Sequence, residues 1–302
     1  MWVYYGLMAA FFLSLYNLCK KWSVRENAIL PVLICANGLS VVLMSPIYFA
    51  SRFYPESLEG TNLFIPELLL VDHALILIKV FLMTCSWILA FSALKHMPIS
   101  LVTPIRASGP FFTLLGAFFL YGERPSEYQW LGFFLIILSM IAYSYIGKKE
   151  GISFKTNKWF LAIVLATFFG ACSGLYDKFL LQVQEYTAIT LLWWFFTYIT
   201  LFMSVVYLYN RKYTKLTNHS FQWRWSILGI STLLLFADYF YYEGLSDPEA
   251  LVVLMSAIKR SQVLFTVVIG GLIFKERNLG LKILPLIGVL LGVFLILYSS
   301  KL

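Results

Sequence analysis

The sequence predicts an all-α integral membrane protein with ten transmembrane helices arranged as two inverted five-helix repeats. Composition, a series of apolar runs and an internal echo predict it. Of 302 residues, 60% are hydrophobic and only 13% charged, a balance that soluble domains of this length do not show. That excludes a purely soluble chain. A spanning helix takes about 20 apolar residues, so ten of them leave about 100 residues for all connections and tails. The remainder has no room for a soluble domain.

The apolar runs cover residues 2–19, 28–50, 69–94, 98–121, 128–146, 158–180, 187–209, 224–243, 248–274 and 280–299. Each can cross a hydrocarbon core of about 30 Å as a helix, which satisfies its own backbone there. The connections hold the breakers and charges: Glu56 to Gly60, Lys148-Lys149-Glu150-Gly151, Asn210 to Ser220, and Lys275-Glu276-Arg277. Residues 52–67 form the longest, where Pro55, Gly60 and Pro66 predict a short surface turn. The first run has no basic leader before it and no small-residue cleavage site after it, so it reads as a retained span rather than a signal peptide. Cys19, Cys35, Cys85 and Cys172 lie in or at the ends of apolar runs without metal-ligand spacing and read as packing thiols.

The echo sets the architecture. Leu101 to Arg124 laid against Leu254 to Arg277 without a gap gives seven identities over 24 positions, ending in Glu123-Arg124 and Glu276-Arg277, and pairs Arg106 with Lys259. Near the front of each half, Ala9, Phe11, Phe12, Leu18 and Lys21 match Ala166, Phe168, Phe169, Leu175 and Lys178. Residues 1–147 and 158–302 are therefore read as the two copies. Five helices is an odd number, so the second copy must insert upside down, the inverted-repeat plan of many transporters with a solute site near the midplane.

Orientation follows from the basic residues outside the spans. Connections 1–2, 3–4, 5–6, 7–8 and 9–10 hold 14 of them, Lys282 among these, against three on the other side. Positive-inside bias then places both termini outside the cytoplasm, in a plasma (inner) membrane. The net charge of +8 is thus mainly an orientation signal and implies no nucleic-acid partner.

The pattern Pro98-Ile99-Ser100 through Thr103-Pro104 to Gly116 and Gly122-Glu123-Arg124, echoed by Lys259-Arg260, Gly270-Gly271 and Phe274-Lys275-Glu276-Arg277, resembles the paired EamA-type repeats of the drug/metabolite transporter superfamily. The resemblance covers nearly the whole chain. It implies a ten-helix bundle with alternating access around a central cavity, and is specific for the superfamily rather than for a solute. A Lys-Arg pair in the corresponding helix binds phosphate in the triose-phosphate translocators of that superfamily, and this chain is similar to them at Lys259 and Arg260 only. Glu123 and Glu276 read as loop residues that cap or pair. Gly170/Gly174 and Gly288/Gly292 have the small-xxx-small spacing of close helix packing, within one subunit rather than in a dimer.

Ionisable residues inside spans are costly and mark polar pathways by default. Lys259 and Arg260 lie deepest, in the middle of the ninth run, and are read as substrate-binding. Arg106 lies between Pro104 and Pro110, where a bent helix frees carbonyls beside a guanidinium. Asp238 reads as the one carboxylate well inside a span, a counter-ion for that cationic pair. Trp194 and Tyr239 are candidate walls and donors of the cavity. Lys79 reads as pairing with Asp72 at i−7 or as marking an early helix end, and Lys21 and Lys178 as snorkelling ends.

Arg106, Lys259 and Arg260 against Asp238 leave two positive charges in excess, which favours an anionic or zwitterionic solute. The expected function is secondary transport of such a small polar metabolite. Its partners are that solute and membrane lipid, with a proton or ion as candidate coupling partner, and its assembly is a monomer or a homodimer. The alternatives are a proton-coupled exporter of drugs or lipophilic cations and, ranked below it, a membrane-embedded enzyme acting on a lipid-linked substrate. His73, His96 and His219 lie near different loop ends with no metal spacing, so neither catalysis, a metal nor a cofactor is expected.

Overall fold

A computed structural model describes residues 2–109, 111–112, 126–149, 157–213, 220–247, 255, 259, 262–275 and 278–298. All regular structure among them is helical. The helices are α1 (Trp2–Val24), α2 (Ile29–Phe53), α3 (Pro55–Leu58), α4 (Leu70–His96), α5 (Ile99–Ala107), α6 (Glu127–Lys149), α7 (Lys158–Lys178), α8 (Ala188–Tyr213), α9 (Trp225–Ser246), α10 (Gln262–Ile273) and α11 (Leu279–Tyr298). A π-helical turn, Phe179–Val183, continues α7. Four of these segments, Ile29–Phe53, Leu70–His96, Lys158–Val183 and Ala188–Tyr209, are long and apolar enough to cross a membrane. The short α3 supplies the surface turn expected after α2. Large apolar side chains stand outward, among them Leu70 at 88% and Leu284 at 77% exposure. Such a surface suits lipid and not water.

The chain forms two compact units that cut across its two sequence halves. Unit 1 is Met1–Cys85 with Tyr176–Ala250, and unit 2 is Ser86–Leu175 with Leu251–Leu302. The front of the first half and the middle of the second thus go to unit 1, while the back of each half goes to unit 2 together with residues 158–175.

In unit 1, α1 packs along α9, and α2 packs on α8 and α9. The buried residues of α9 recur every three or four positions (Ile227, Ile230, Ser231, Leu234, Ala237, Asp238, Tyr241, Tyr242, Leu245), which is one face of a helix. Beside that face Phe12 stacks on the exposed Phe236 and the half-buried Phe240, with ring centroids 5.5 and 5.8 Å apart. Short hydroxyls allow close approach and bond across it: Ser23 to Ser226 at 2.6 Å and Ser40 to Ser231 at 2.9 Å. The α1–α2 connection turns at Glu26, with φ 52°, and is fixed by the fully buried Asn27. Its amide donates to the carbonyls of Ser23 and Gln222 at 3.0 and 2.7 Å and accepts from the Gln222 N–H at 2.9 Å. One side chain thereby clamps this connection to the segment before α9.

In unit 2, α6 packs along α11, and α5 contacts α6, α10 and α11. Gly288 faces Ser139, and Gly292 lies against the Gly132 carbonyl and Ile136, so this pair of glycines serves packing within the chain, as the spacing predicts. Gly170 faces Ser86 and Arg106, whereas Gly174 has open space where a Cβ would stand. Tight turning at Lys275 and Asn278, with φ 49° and 52°, lets α11 begin at Leu279.

The burial of one lysine in α11 corrects one expectation. Lys282 is not a loop charge: it lies in the first turn of α11, fully buried, and its Nζ donates to the Ser100 hydroxyl at 2.9 Å. The Tyr143 hydroxyl donates to its carbonyl at 2.9 Å. Thirteen basic residues, not 14, then remain on the majority side, so the orientation bias keeps its sign.

Candidate functional site

The polar chemistry of unit 1 centres on a buried ion pair. Lys79 is 1% exposed, and its Nζ bonds to Oδ1 of Asp177, which is 6% exposed. The ammonium also lies 5.1 Å from the ring centroids of both Phe195 and Tyr242, so two aromatic faces enclose its other sides. Four helices build this site: α4 gives Lys79, the end of α7 gives Asp177, α8 gives Phe195 and α9 gives Tyr242. Asp238, 8% exposed, stands four residues before Tyr242 on the same face of α9 and has interactions of its own. The regular winding of α7 changes two residues beyond Asp177, at the π-helical turn. Turns of this kind recur at functional sites.

Two sequence expectations are corrected here. Lys79 does not pair with Asp72 and α4 does not end early; the helix runs through Lys79 to His96. Asp72 instead accepts the Leu69 N–H at 2.8 Å, at the start of α4 where a carboxylate suits the helix dipole, and accepts the Tyr186 hydroxyl at 2.6 Å. Nor is Asp238 the one carboxylate inside the helices, since Asp177 is buried as well. The repeat alignment drew the eye to Lys178, which is exposed, and passed over the acid beside it. The signal was available: Asp177 is an acid within helical reach of an apolar run, a costly position without a partner.

Nearer one end of unit 1, Trp194 belongs to an aromatic cluster. It stacks on Tyr198 at 5.5 Å, meets His73 edge-on at 4.6 Å, and stands beside Tyr48, on which Trp193 stacks at 4.4 Å. The Tyr198 hydroxyl and Nδ1 of His73 are 2.8 Å apart. The indole N–H groups of Trp193 and Trp194 are buried without a protein acceptor. Tyr239 is half-buried, contacts Phe240 and hydrogen-bonds Glu243. At that end of α9 a cavity of about 480 Å³ opens among Asn62, Gln182, Glu185, Tyr186, Glu243 and Ser246. Burial, and then the bond to Asp72, push the Tyr186 phenol above its usual range, so it stays a donor at neutral pH.

In unit 2, Arg106 is half-buried near the end of α5, and its Nη1 donates to the Ser86 hydroxyl at 2.9 Å and to the Ala166 carbonyl at 3.2 Å. Ser86 in turn donates to the Ala166 carbonyl at 2.7 Å, so α4, α5 and α7 share one polar node. Pro104, inside α5, has no N–H to give to the preceding turn. Lys259 is half-buried and has partners. Arg260, Pro110, Glu123, Arg124, Ser256, Glu276 and Arg277 lie outside the described residues. Asp238, Trp194 and Tyr239 thus belong to unit 1, and Arg106 and Lys259 to unit 2. Sequence reasoning missed Asp177 and Lys282, and gave Lys79 the wrong partner.

No curated protein matches the sequence. A solved crystal structure of a protein, 13% identical, superposes with a TM-score of 0.62 over 100% of this chain and 99% of the other, which shows a shared fold. Residues 1–145 match the EamA-like transporter family, a family of transporters rather than enzymes. The match agrees with the resemblance to drug/metabolite transporters read from the repeated motifs. Over residues 1–145, just under half of the chain, the sequence is similar to the EamA-like transporter family, and this match with the apolar outer surface supports a multi-pass integral membrane protein of transport.

Proposed function

We propose that this protein is a secondary transporter of a small polar metabolite, anionic or zwitterionic, moved across the plasma membrane by alternating access between two inverted five-helix repeats. Ten transmembrane helices, termini outside, complete the arrangement. The observation that carries it is the set of charged side chains sunk in apolar helices of a chain similar to a transporter family: Lys79, Asp177 and Asp238 in unit 1, Arg106 in unit 2. Charges there are expensive, and in such proteins they line solute and ion paths. Each compact unit draws helices from both halves of the chain, which supports two intertwined copies. Within unit 1, connections 1–2 and 7–8 bond at one end through Asn27, while residues of connections 2–3, 6–7 and 8–9 meet around Asn62, Glu185 and Ser246 at the other, as spans of alternating direction require.

Lys259, Arg260 and Arg106 are assigned to the solute site as its excess of positive charge, and Asp238 to charge balance. The test is thermal denaturation of the purified protein with a panel of organic anions, zwitterions and lipophilic cations. Organic anions or zwitterions at about 100 times Kd would stabilise the wild type by about 2.7 kcal/mol. Lys259→Ala and Arg260→Ala are expected to lose that gain. Stabilisation by lipophilic cations alone would overturn the reading in favour of a proton-coupled exporter of cations, which the Glu185 and Glu243 side chains of the end cavity favour.

A further inference from the structure

We infer that the Lys79–Asp177 pair is a coupling site: one proton on Asp177 and one carboxylate of the solute on Lys79 bind together, giving symport of one proton with one organic anion. The inference rests on the transport reading above and adds to it a driving ion and a residue pair.

Charge balance in an apolar surrounding decides which ligands this pair can take. The empty site holds an ammonium and a carboxylate in contact and is neutral. With a proton on Asp177 and a solute carboxylate on Lys79, the bond from Nζ to Asp177 is exchanged for one to the solute, the proton stays on the Asp177 carboxyl, and the site is again neutral. A proton without the anion leaves a lone ammonium, and an anion without the proton leaves two carboxylates on one ammonium. Both half-loaded states carry an uncompensated charge, which low-dielectric surroundings penalise strongly. The ligands therefore favour each other's binding, and by linkage the effect is reciprocal.

The geometry fits the proton's part of this exchange. A proton needs no space, and Asp177 is 6% exposed. The two aromatic faces at 5.1 Å hold the ammonium in place while its carboxylate partner is neutral. The groups facing Asp177 are Lys79 from α4 and Tyr242 from α9, with Asp238 one turn from Tyr242, while Phe195 from α8 is uncharged. On its own helix, Tyr176 donates to the Leu75 carbonyl at 3.2 Å and Lys178 points to the outside. The pair also ties α4 to α7, the two helices within which the chain passes from one unit to the other, after Cys85 and after Leu175. Exchange of that bond with solute is thus placed where it acts on both helices at once.

The test uses the whole protein in liposomes containing a pH-sensitive dye, with the singly charged anions glutamate, lactate and gluconate added outside in turn. For an anion that enters, the expected result is acidification of the interior at one proton per anion, electrically silent. Asp177→Asn is expected to lose the proton signal at least tenfold, and any movement of that anion which it keeps is expected to be independent of pH. For the wild type alone, apparent affinity for the anion is expected to fall about tenfold per pH unit once Asp177 is ionised, the slope of one linked proton. This second measurement holds even if the variant does not fold. Anion entry without proton movement, or a pH-independent affinity, overturns the coupling and leaves the transport reading standing. Failure of every anion to enter overturns both.

Discussion

Replacing Lys79 by alanine is expected to cost about 3–5 kcal/mol of stability, because it strands the Asp177 carboxylate in an apolar interior. Lys79 is 1% exposed and its charge meets one carboxylate and two aromatic faces, so little water stands ready to take the ammonium's place. The pair as a whole has a different sign. Removing both charges, as Lys79→Met with Asp177→Leu, is expected to leave stability unchanged or raise it by about 1–4 kcal/mol, since the desolvation of both ions is no longer required. Unfolding of the three proteins in detergent measures the difference. A double-mutant cycle with no coupling between the two positions would mean that the ion pair does not form. If the double variant is stable but transports nothing, the pair is kept for function.

Gly292→Ala is the second large effect. An added Cβ would stand 2.7 Å from the Gly132 carbonyl oxygen and 2.7 Å from Cγ1 of Ile136, with the Ile136 backbone nitrogen at 3.2 Å. The isoleucine can turn aside, but the carbonyl belongs to the backbone of α6, so α6 and α11 must move apart. Overpacking of this kind costs about 1–3 kcal/mol. Gly174→Ala is the matched control: its Cβ would meet nothing within 4 Å, and losing a helical glycine there should gain about 0.5–1 kcal/mol. Thermal unfolding in detergent that moved both variants the same way would contradict this packing of α6 on α11.

The helices were legible because each apolar run marks itself, and the stripe on α9 from Ile227 to Leu245 can be counted off the sequence. The polar partners were less so. Lys79 met Asp72 in sequence, but Asp72 is needed at the start of α4 and Asp177 comes from 98 residues away. Only tertiary structure brings that acid to the lysine. Lys282 was counted with the connection although it is the third residue of the run 280–299, and nothing in those letters announces that it is buried against Ser100, 182 residues away. Asn27 shows the same limit: it lies in the connection between the runs 2–19 and 28–50, and Gln222, to which it bonds as a buried clamp, comes from 195 residues away. Trp194 was picked out for its place well inside an aromatic run, and it does stand in an aromatic cluster with a buried, unsatisfied indole N–H. The rule that held best was the cost of charge in a membrane; what it could not supply was the partner.

The central claim, that this chain carries an organic anion or zwitterion across a membrane, is tested most directly by solute counterflow. Liposomes holding the purified protein and loaded with one unlabelled panel member should accumulate the same labelled compound from outside above its equilibrium level, and protein-free liposomes should not. At least one organic anion or zwitterion is predicted to do so, with the signal reduced at least tenfold in Lys259→Ala. Counterflow of lipophilic cations alone, or of no panel member by folded and reconstituted protein, would contradict the account.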